Sequence, residues 1–230
     1  MKTYGAYGYR ESSNFSHEDI VYASLGYTIA YAYVRGGGEL GDEWHKQGKY
    51  LHKINTFEDY KACALKVTEY FKISPKQLVG KAGSAGGVIM GYAANNYPEL
   101  FGALIFDRPF LDVINEMNDT TTSMTVMQYS EWGNPQEKIC YDYQKEYSPY
   151  QNIKKQTYPN MLFLTGYYDY QVPYWQVAKS VAKYRENNTG NSLIVLKTMM
   201  TSGHKGSTIA VENTQNMLLQ YAFIVNSLTK

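Results

Sequence analysis

The chain reads as an α/β protein, a mostly parallel sheet with helices on both faces. Two observations carry that reading. Short apolar runs alternate with stretches of helical periodicity along the 230 residues. Several of those runs, such as Gly102–Phe106 and Asn160–Thr165, are apolar almost throughout, as strands covered on both faces must be.

Taken in order, Ser16-His17-Glu18-Asp19 has the form of a capping box and opens a short helix through about Leu25. Tyr27–Val34 is a β-rich run that ends in Arg35-Gly36-Gly37-Gly38. Thr56 with Asp59 has the pattern of a second box, starting a longer helix. Along it, Phe57, Tyr60, Ala64, Val67 and Phe71 recur on one face. Gln77–Lys81 is a short strand, followed by a glycine-rich turn and a helix over Val88–Asn95. Gly102–Phe106 and Asn160–Thr165 are buried strands, Tyr174–Arg185 a helix, Ser192–Met199 a strand and Ser207–Leu228 a long amphipathic helix. Arg108–Tyr158 breaks the alternation and reads as an excursion of helices and loops over one edge of the core. In such a sheet, sites form at the carboxyl ends of the strands.

Composition narrows the function. Hydrophobic residues at 44% and charged residues at 19% exclude a disordered chain. A net charge of +1 lacks the global positive field of a nonspecific nucleic-acid binder, so no nucleic-acid partner is expected. Two cysteines, Cys63 and Cys140, build no disulfide framework and suit a reducing compartment. The most apolar stretch, Ile20–Val34, is broken by Ser24, Gly26 and Thr28 and is short of the ~20 residues that span a bilayer. No signal-peptide layout opens the chain, and the expected location is cytoplasmic with no membrane partner. No metal-ligand spacing is present, since His45 and His52 are too far apart and each cysteine stands alone, so neither metal nor cofactor is expected.

The sharpest local signal is Ala82-Gly83-Ser84-Ala85-Gly86-Gly87, between a strand and a helix. A nucleophile elbow needs this context: a serine on a strained turn, with small neighbours that let a carbonyl carbon approach. The usual string is G-x-S-x-G, and Ala82 replaces its first glycine. The plainer reading is an ordinary glycine-rich turn. A nucleophilic serine needs a base and an orienting acid, which in α/β-hydrolases follow it in the order acid, then histidine. His204, in Ser202-Gly203-His204-Lys205-Gly206, is the one histidine beyond Ser84. Asp169 follows the strand ending at Thr165, and Asp107, after an earlier strand, is the second candidate. The Ala85 N–H, at the start of the elbow helix, can point at a developing oxyanion. A competing string, Gly36-Gly37-Gly38-Glu39-Leu40-Gly41, satisfies the dinucleotide pattern G-x-G-x-x-G. It is discounted because the polar segment Asp42–Gly48 is no helix with an apolar face, and because the acids about 20 residues on open a helix rather than close a strand.

Several motifs then converge on one family. Tyr4-Gly5-Ala6-Tyr7-Gly8, Arg35-Gly36-Gly37-Gly38-Glu39-Leu40-Gly41 with Trp44, Asn55-Thr56-Phe57-Glu58-Asp59 and Gly83-Ser84-Ala85-Gly86-Gly87 resemble the catalytic domain of the prolyl oligopeptidase family of serine peptidases. Glu131-Trp132-Gly133-Asn134-Pro135, Tyr147-Ser148-Pro149-Tyr150 and Gln171-Val172-Pro173-Tyr174-Trp175 are similar to its oligopeptidase B branch. The resemblance runs through nearly the whole chain. It implies an α/β-hydrolase fold, N-terminally short, and cleavage of short peptides. It implies Ser84 as nucleophile, Asp169 as orienting acid and His204 as base. It also implies that the Tyr4 hydroxyl joins Ala85 in the oxyanion hole, where spacing alone leaves Tyr4 a packed strand-end aromatic.

Three departures from the family pattern matter. The branch carries two acids for a basic substrate side chain in G-E-x-E-E-W, and here Gln128 and Ser130 replace them. Without those carboxylates, an Arg or Lys head loses charge-assisted bonds of roughly 1.5–3 kcal/mol each. Arg108 stands where a small apolar residue is usual; facing the pocket it disfavours a basic group, and its plainer reading is a solvated side chain. Family members usually precede this domain with a β-propeller and with the first strands of the sheet. The resemblance therefore implies an upstream propeller partner, or self-association through an unpaired edge. The sequence supports a serine peptidase first, an esterase on small acyl esters second, and an inactive fragment or interaction module third.

Overall fold

A computed structural model describes residues 1–11, 15–122 and 124–228. Four parallel strands form the sheet in the order β1 (Val79–Gly83), β2 (Ala103–Asp107), β3 (Asn160–Gly166) and β4 (Ile194–Met199). Each expected strand of this set is present within two residues of its sequence bounds. The helices are α1 (His17–Ser24), α2 (Asp42–Lys46), α3 (Ile54–Phe71), α4 (Gly87–Asn96), α5 (Val113–Asn118), α6 (Thr125–Trp132), α7 (Lys138–Tyr147), α8 (Tyr174–Asn187) and α9 (Ala210–Leu228). Helices α5–α7 fill the expected excursion between β2 and β3.

Alternation along the strands explains why the sheet is covered twice. Leu104, Phe106, Met161 and Phe163 face one core with α3, α4 and α8, and the Phe106 and Phe163 rings stack at 4.2 Å. Ala103, Ile105, Leu162 and Leu164 face the other, with Tyr22 of α1 and Tyr221, Phe223 and Ile224 of α9. Each large side chain so buried contributes roughly 1.5–3 kcal/mol.

Tyr27–Val34 differs from expectation. It is an extended segment, not a regular strand, and touches the sheet through Lys2. Lys2 donates to Ala30 O at 2.8 Å and accepts from Ala32 N at 2.8 Å, and Met1 O accepts from Lys81 N at 2.9 Å. Met1–Tyr4 therefore lies between that segment and β1. Among the described residues no helix is long and apolar enough to cross a membrane.

The expected box at Thr56 and Asp59 is also corrected. Helix α3 begins at Ile54, so neither residue caps it. The Thr56 hydroxyl is 2.6 Å from Arg35 O and 3.0 Å from Gly48 O. Asp59 takes the Arg35 backbone N–H at 2.9 Å and its guanidinium at 2.8 and 2.6 Å. The two residues fasten the glycine-rich loop onto α3. Its glycines are packing glycines: a Cβ at Gly36 would meet Gly5 O at 2.4 Å, and one at Gly38 would meet Gly8 O at 2.0 Å. Contrary to expectation a short helix, α2, does follow this loop. Its acidic first turn, Asp42 and Glu43, repels phosphate and leaves the dinucleotide reading unsupported. By contrast the Ser16 cap forms as expected, accepting from Asp19 N at 3.2 Å.

Replacing Asp59 by Asn removes the charge that holds three bonds from Arg35. Asp59→Asn is expected to lower unfolding free energy in urea by about 1–3 kcal/mol. A midpoint equal to that of the unaltered chain would contradict the fastening role.

Candidate active site

Ser84 sits on a bend that the sequence prepares. It follows β1 directly, adopts φ 49° in the left-handed region, and leads through the turn Ser84–Gly86 into α4. A non-glycine residue there is strained, and its surroundings must hold it. Phe110 N donates to Ser84 O at 2.9 Å and fixes the peptide. The neighbouring glycines leave the necessary room. A Cβ at Gly83 would meet Asp107 O at 2.7 Å, and one at Gly87 would meet Pro109 Cβ at 2.4 Å. The methyl of Ala82 faces Gly86, which explains why the first position of the elbow tolerates it.

Two further loops meet this bend. Asp169, after β3, has a buried carboxylate. Its Oδ1 accepts from the N–H groups of Gln171 at 3.0 Å and Val172 at 2.9 Å. Its Oδ2 lies 2.8 Å from Nδ1 of His204, after β4. The His204 Nε2 lies 3.0 Å from Ser84 Oγ. The loops are tied to one another by backbone: Tyr167 N donates to Met199 O at 2.9 Å, and Tyr168 N to Ser202 O at 3.0 Å. Gly166 makes that approach possible, since a Cβ there would meet Ser202 O at 2.6 Å. Asp107, the other acid considered, bonds Arg108 instead.

Tyr4 completes the cluster. It ends the segment paired with β1, and a Cβ at Gly86 would sit 3.3 Å from Tyr4 Cα. Burial raises the phenol above its ordinary range, opposed by a hydrogen bond with Ser84, so at neutral pH Tyr4 keeps the proton that it can donate. Ala85 N–H is at the first turn of the elbow helix, where backbone donors lack intrahelical acceptors.

A cavity of about 390 Å³ opens over Ser84 and His204, lined also by Tyr4, Asp107 and Arg108. Arg108 is no solvated surface residue. Its side chain is 15% exposed and its Nη1 donates to Asp107 at 2.8 Å. Gln128 and Ser130 do not line this cavity. Gln128 accepts from the Tyr7 hydroxyl at 3.0 Å, and Ser130 is exposed with its hydroxyl toward Met127 O at 3.4 Å. Two residues apart on α6, they are separated by about 200° around its axis.

Residues 13–230 match the prolyl oligopeptidase family. The chain belongs to it. Dipeptidyl aminopeptidase BI of Pseudoxanthomonas mexicana is 38% identical over 229 residues, which are 98% of this chain and 31% of that protein. Protease 2 of Moraxella lacunata is 37% identical over 225 residues, 98% of this chain and 33% of that one. The structure of oligopeptidase B from Leishmania major superposes with a TM-score of 0.96 at 38% identity, over 99% of this chain and 32% of that one. The chain thus spans about a third of the length of the relatives it matches. As in those relatives' family, the fold is that of an α/β-hydrolase.

One titrating group lies within electrostatic reach of Asp169. Glu116 of α5 is pushed up to about 7, chiefly by burial and then by Asp119 and Asp112, with Lys179 opposing. A carboxyl raised in the fold stabilises fully below its unfolded value near 4.5 and loses that contribution as pH rises through about 7. Glu116→Gln is therefore expected to be more stable than the unaltered chain at pH 8, by about 1 kcal/mol after solvent screening, and nearly equal to it at pH 4. Thermal melts at the two pH values check this; a difference independent of pH would contradict it.

Proposed function

We propose that this chain is a serine peptidase catalytic domain that hydrolyses short peptides through an acyl-enzyme. The observation that supports this most strongly is the continuous contact from Asp169 through His204 to Ser84, at 2.8 and 3.0 Å. In this reading His204 Nε2 takes the Ser84 proton as Oγ attacks the scissile carbonyl. Asp169 holds the imidazole with Nδ1–H toward it and stabilises the imidazolium that forms. The carbonyl oxygen, now charged, is met by the Tyr4 hydroxyl and the Ala85 N–H. His204 gives the proton to the leaving amine; the same imidazole then deprotonates a water that attacks the acyl carbon, and returns that proton to Ser84 Oγ as the C–Oγ bond breaks.

Membership of the prolyl oligopeptidase family supports the peptide as substrate. We also propose that preference for a basic side chain is weak. Gln128 is engaged by Tyr7 and Ser130 faces solvent, so neither position offers a carboxylate to a basic group. Both cysteines are free and the net charge is near zero, which supports a cytoplasmic setting.

A fluorophosphonate probe is expected to label the chain at Ser84, and Ser84→Ala to abolish labelling. Labelling that survives the substitution would remove the nucleophile assignment. Turnover of a peptide amide alongside a p-nitrophenyl ester separates the peptidase from an ester-only hydrolase. The peptidase reading expects both to be cleaved, and ester cleavage alone would contradict it.

A further inference from the structure

The loop after Tyr4 is bent at three left-handed residues, Gly5 at φ 62°, Tyr7 at φ 58° and Gly8 at φ 62°. A tyrosine in that region is uncommon and must be held there. Two buried charged groups reach the loop from different elements. The Lys53 ammonium, fully buried just before α3, donates to Gly5 O at 2.6 Å and lies 4.9 Å from the centre of the Trp132 ring. The Glu131 carboxylate, 3% exposed in the last turn of α6, accepts from Tyr7 N at 2.8 Å. Its other oxygen lies 2.8 Å from His45 Nε2. Burial pulls Lys53 down to about 8, and Glu131 works against that drop.

Burying an ammonium and a carboxylate is costly, and apolar side chains of the same volume often pack as well or better. The placement of these two gives them a role that apolar groups cannot fill. Each is bonded directly to a peptide group of the loop, one to the carbonyl next to Tyr4 and one to the N–H three residues on. Gly5 itself is wedged, since a Cβ there would meet Val34 Cγ2 at 2.6 Å. A donor to an oxyanion must be placed to within about 0.5 Å of its working position. The backbone upstream of Tyr4 is fixed by the sheet; downstream the next backbone anchor is Gly8 N, which donates to Gly36 O at 3.0 Å, so Lys53 and Glu131 hold the three residues between.

We propose that Lys53 and Glu131 are positioning residues for the Tyr4 hydroxyl, clamping the Gly5–Tyr7 loop so that the phenol meets the charge that forms on the substrate oxygen. The inference rests on the proposed role of Tyr4. Neither residue touches the reacting atoms; both act through the backbone that carries Tyr4.

The test is a double-mutant cycle on the 230-residue chain, read as phosphonylation of Ser84 by a fluorophosphonate, with maximal rate and half-saturating concentration measured separately. Tyr4→Phe is expected to slow the maximal rate about 100-fold, the usual loss for one oxyanion donor. Lys53→Met is expected to slow it about 10-fold at unchanged half-saturation, as a small misplacement does. The double variant is expected to be no slower than Tyr4→Phe alone. Should circular dichroism show Lys53→Met unfolded, Glu131→Met, which removes the acceptor for Tyr7 N, takes its place in the same cycle, with about a 5-fold loss expected. A clamp variant that reacts at the full rate, or losses that multiply in the double variant, would overturn the clamp while leaving Tyr4 its role. A Tyr4→Phe variant at full rate would overturn the role of Tyr4 and the clamp with it.

Discussion

All four strands run the same way and end at nearly the same height. Gly83 is level with Asp107, Asp107 with Leu164, and Gly166 with Met199. Parallel hydrogen bonding enforces that alignment, and everything at the site depends on it. The loops that follow β1, β3 and β4 leave from one rim, and each carries one member of the Ser84, Asp169 and His204 set. The chain separates these residues by 120 and 35 positions. The sheet brings them together.

Within that frame, close backbone approach sets the distances. Gly83 and Gly87 bring the elbow onto the loop after β2, and Gly166 brings the Asp169 loop onto the His204 loop. Two interloop hydrogen bonds then hold the acid and the imidazole as one unit. The strain at Ser84 is supported by its packed neighbours, which leaves the hydroxyl at the mouth of the cavity instead of buried in the turn. The base is already in place, with His204 Nε2 3.0 Å from Ser84 Oγ and its other nitrogen 2.8 Å from Asp169.

The parts of this structure that were legible in the sequence are those with a local cause. Apolar runs mark β1–β4 because both faces of the sheet are covered. The elbow is marked by small residues around Ser84 because only they allow the bend. The order of Asp169 and His204 follows from the order of the strands. The parts that were not legible depend on partners distant in the chain. Thr56 and Asp59 have the spacing of a cap, but tertiary bonds to Arg35 and Gly48 claim their side chains. Tyr27–Val34 has strand composition, yet it pairs with the sheet only around Lys2. Arg108 has the composition of a surface residue, and Asp107 draws it into the cavity. Lys53 carries no sequence signal and Glu131 stands out only as part of a family motif, since a lysine or glutamate reads as solvated until its burial is seen.

The account is tested most directly by a crystal structure of the chain after phosphonylation, because the bound phosphorus stands in for the tetrahedral carbon of the reaction. The account predicts a phosphonyl group on Ser84 Oγ, with one oxygen within about 3 Å of both the Tyr4 hydroxyl and the Ala85 N–H. His204 is predicted to remain seated against Asp169. An oxygen turned to solvent, with Tyr4 directed away from it, would contradict the account.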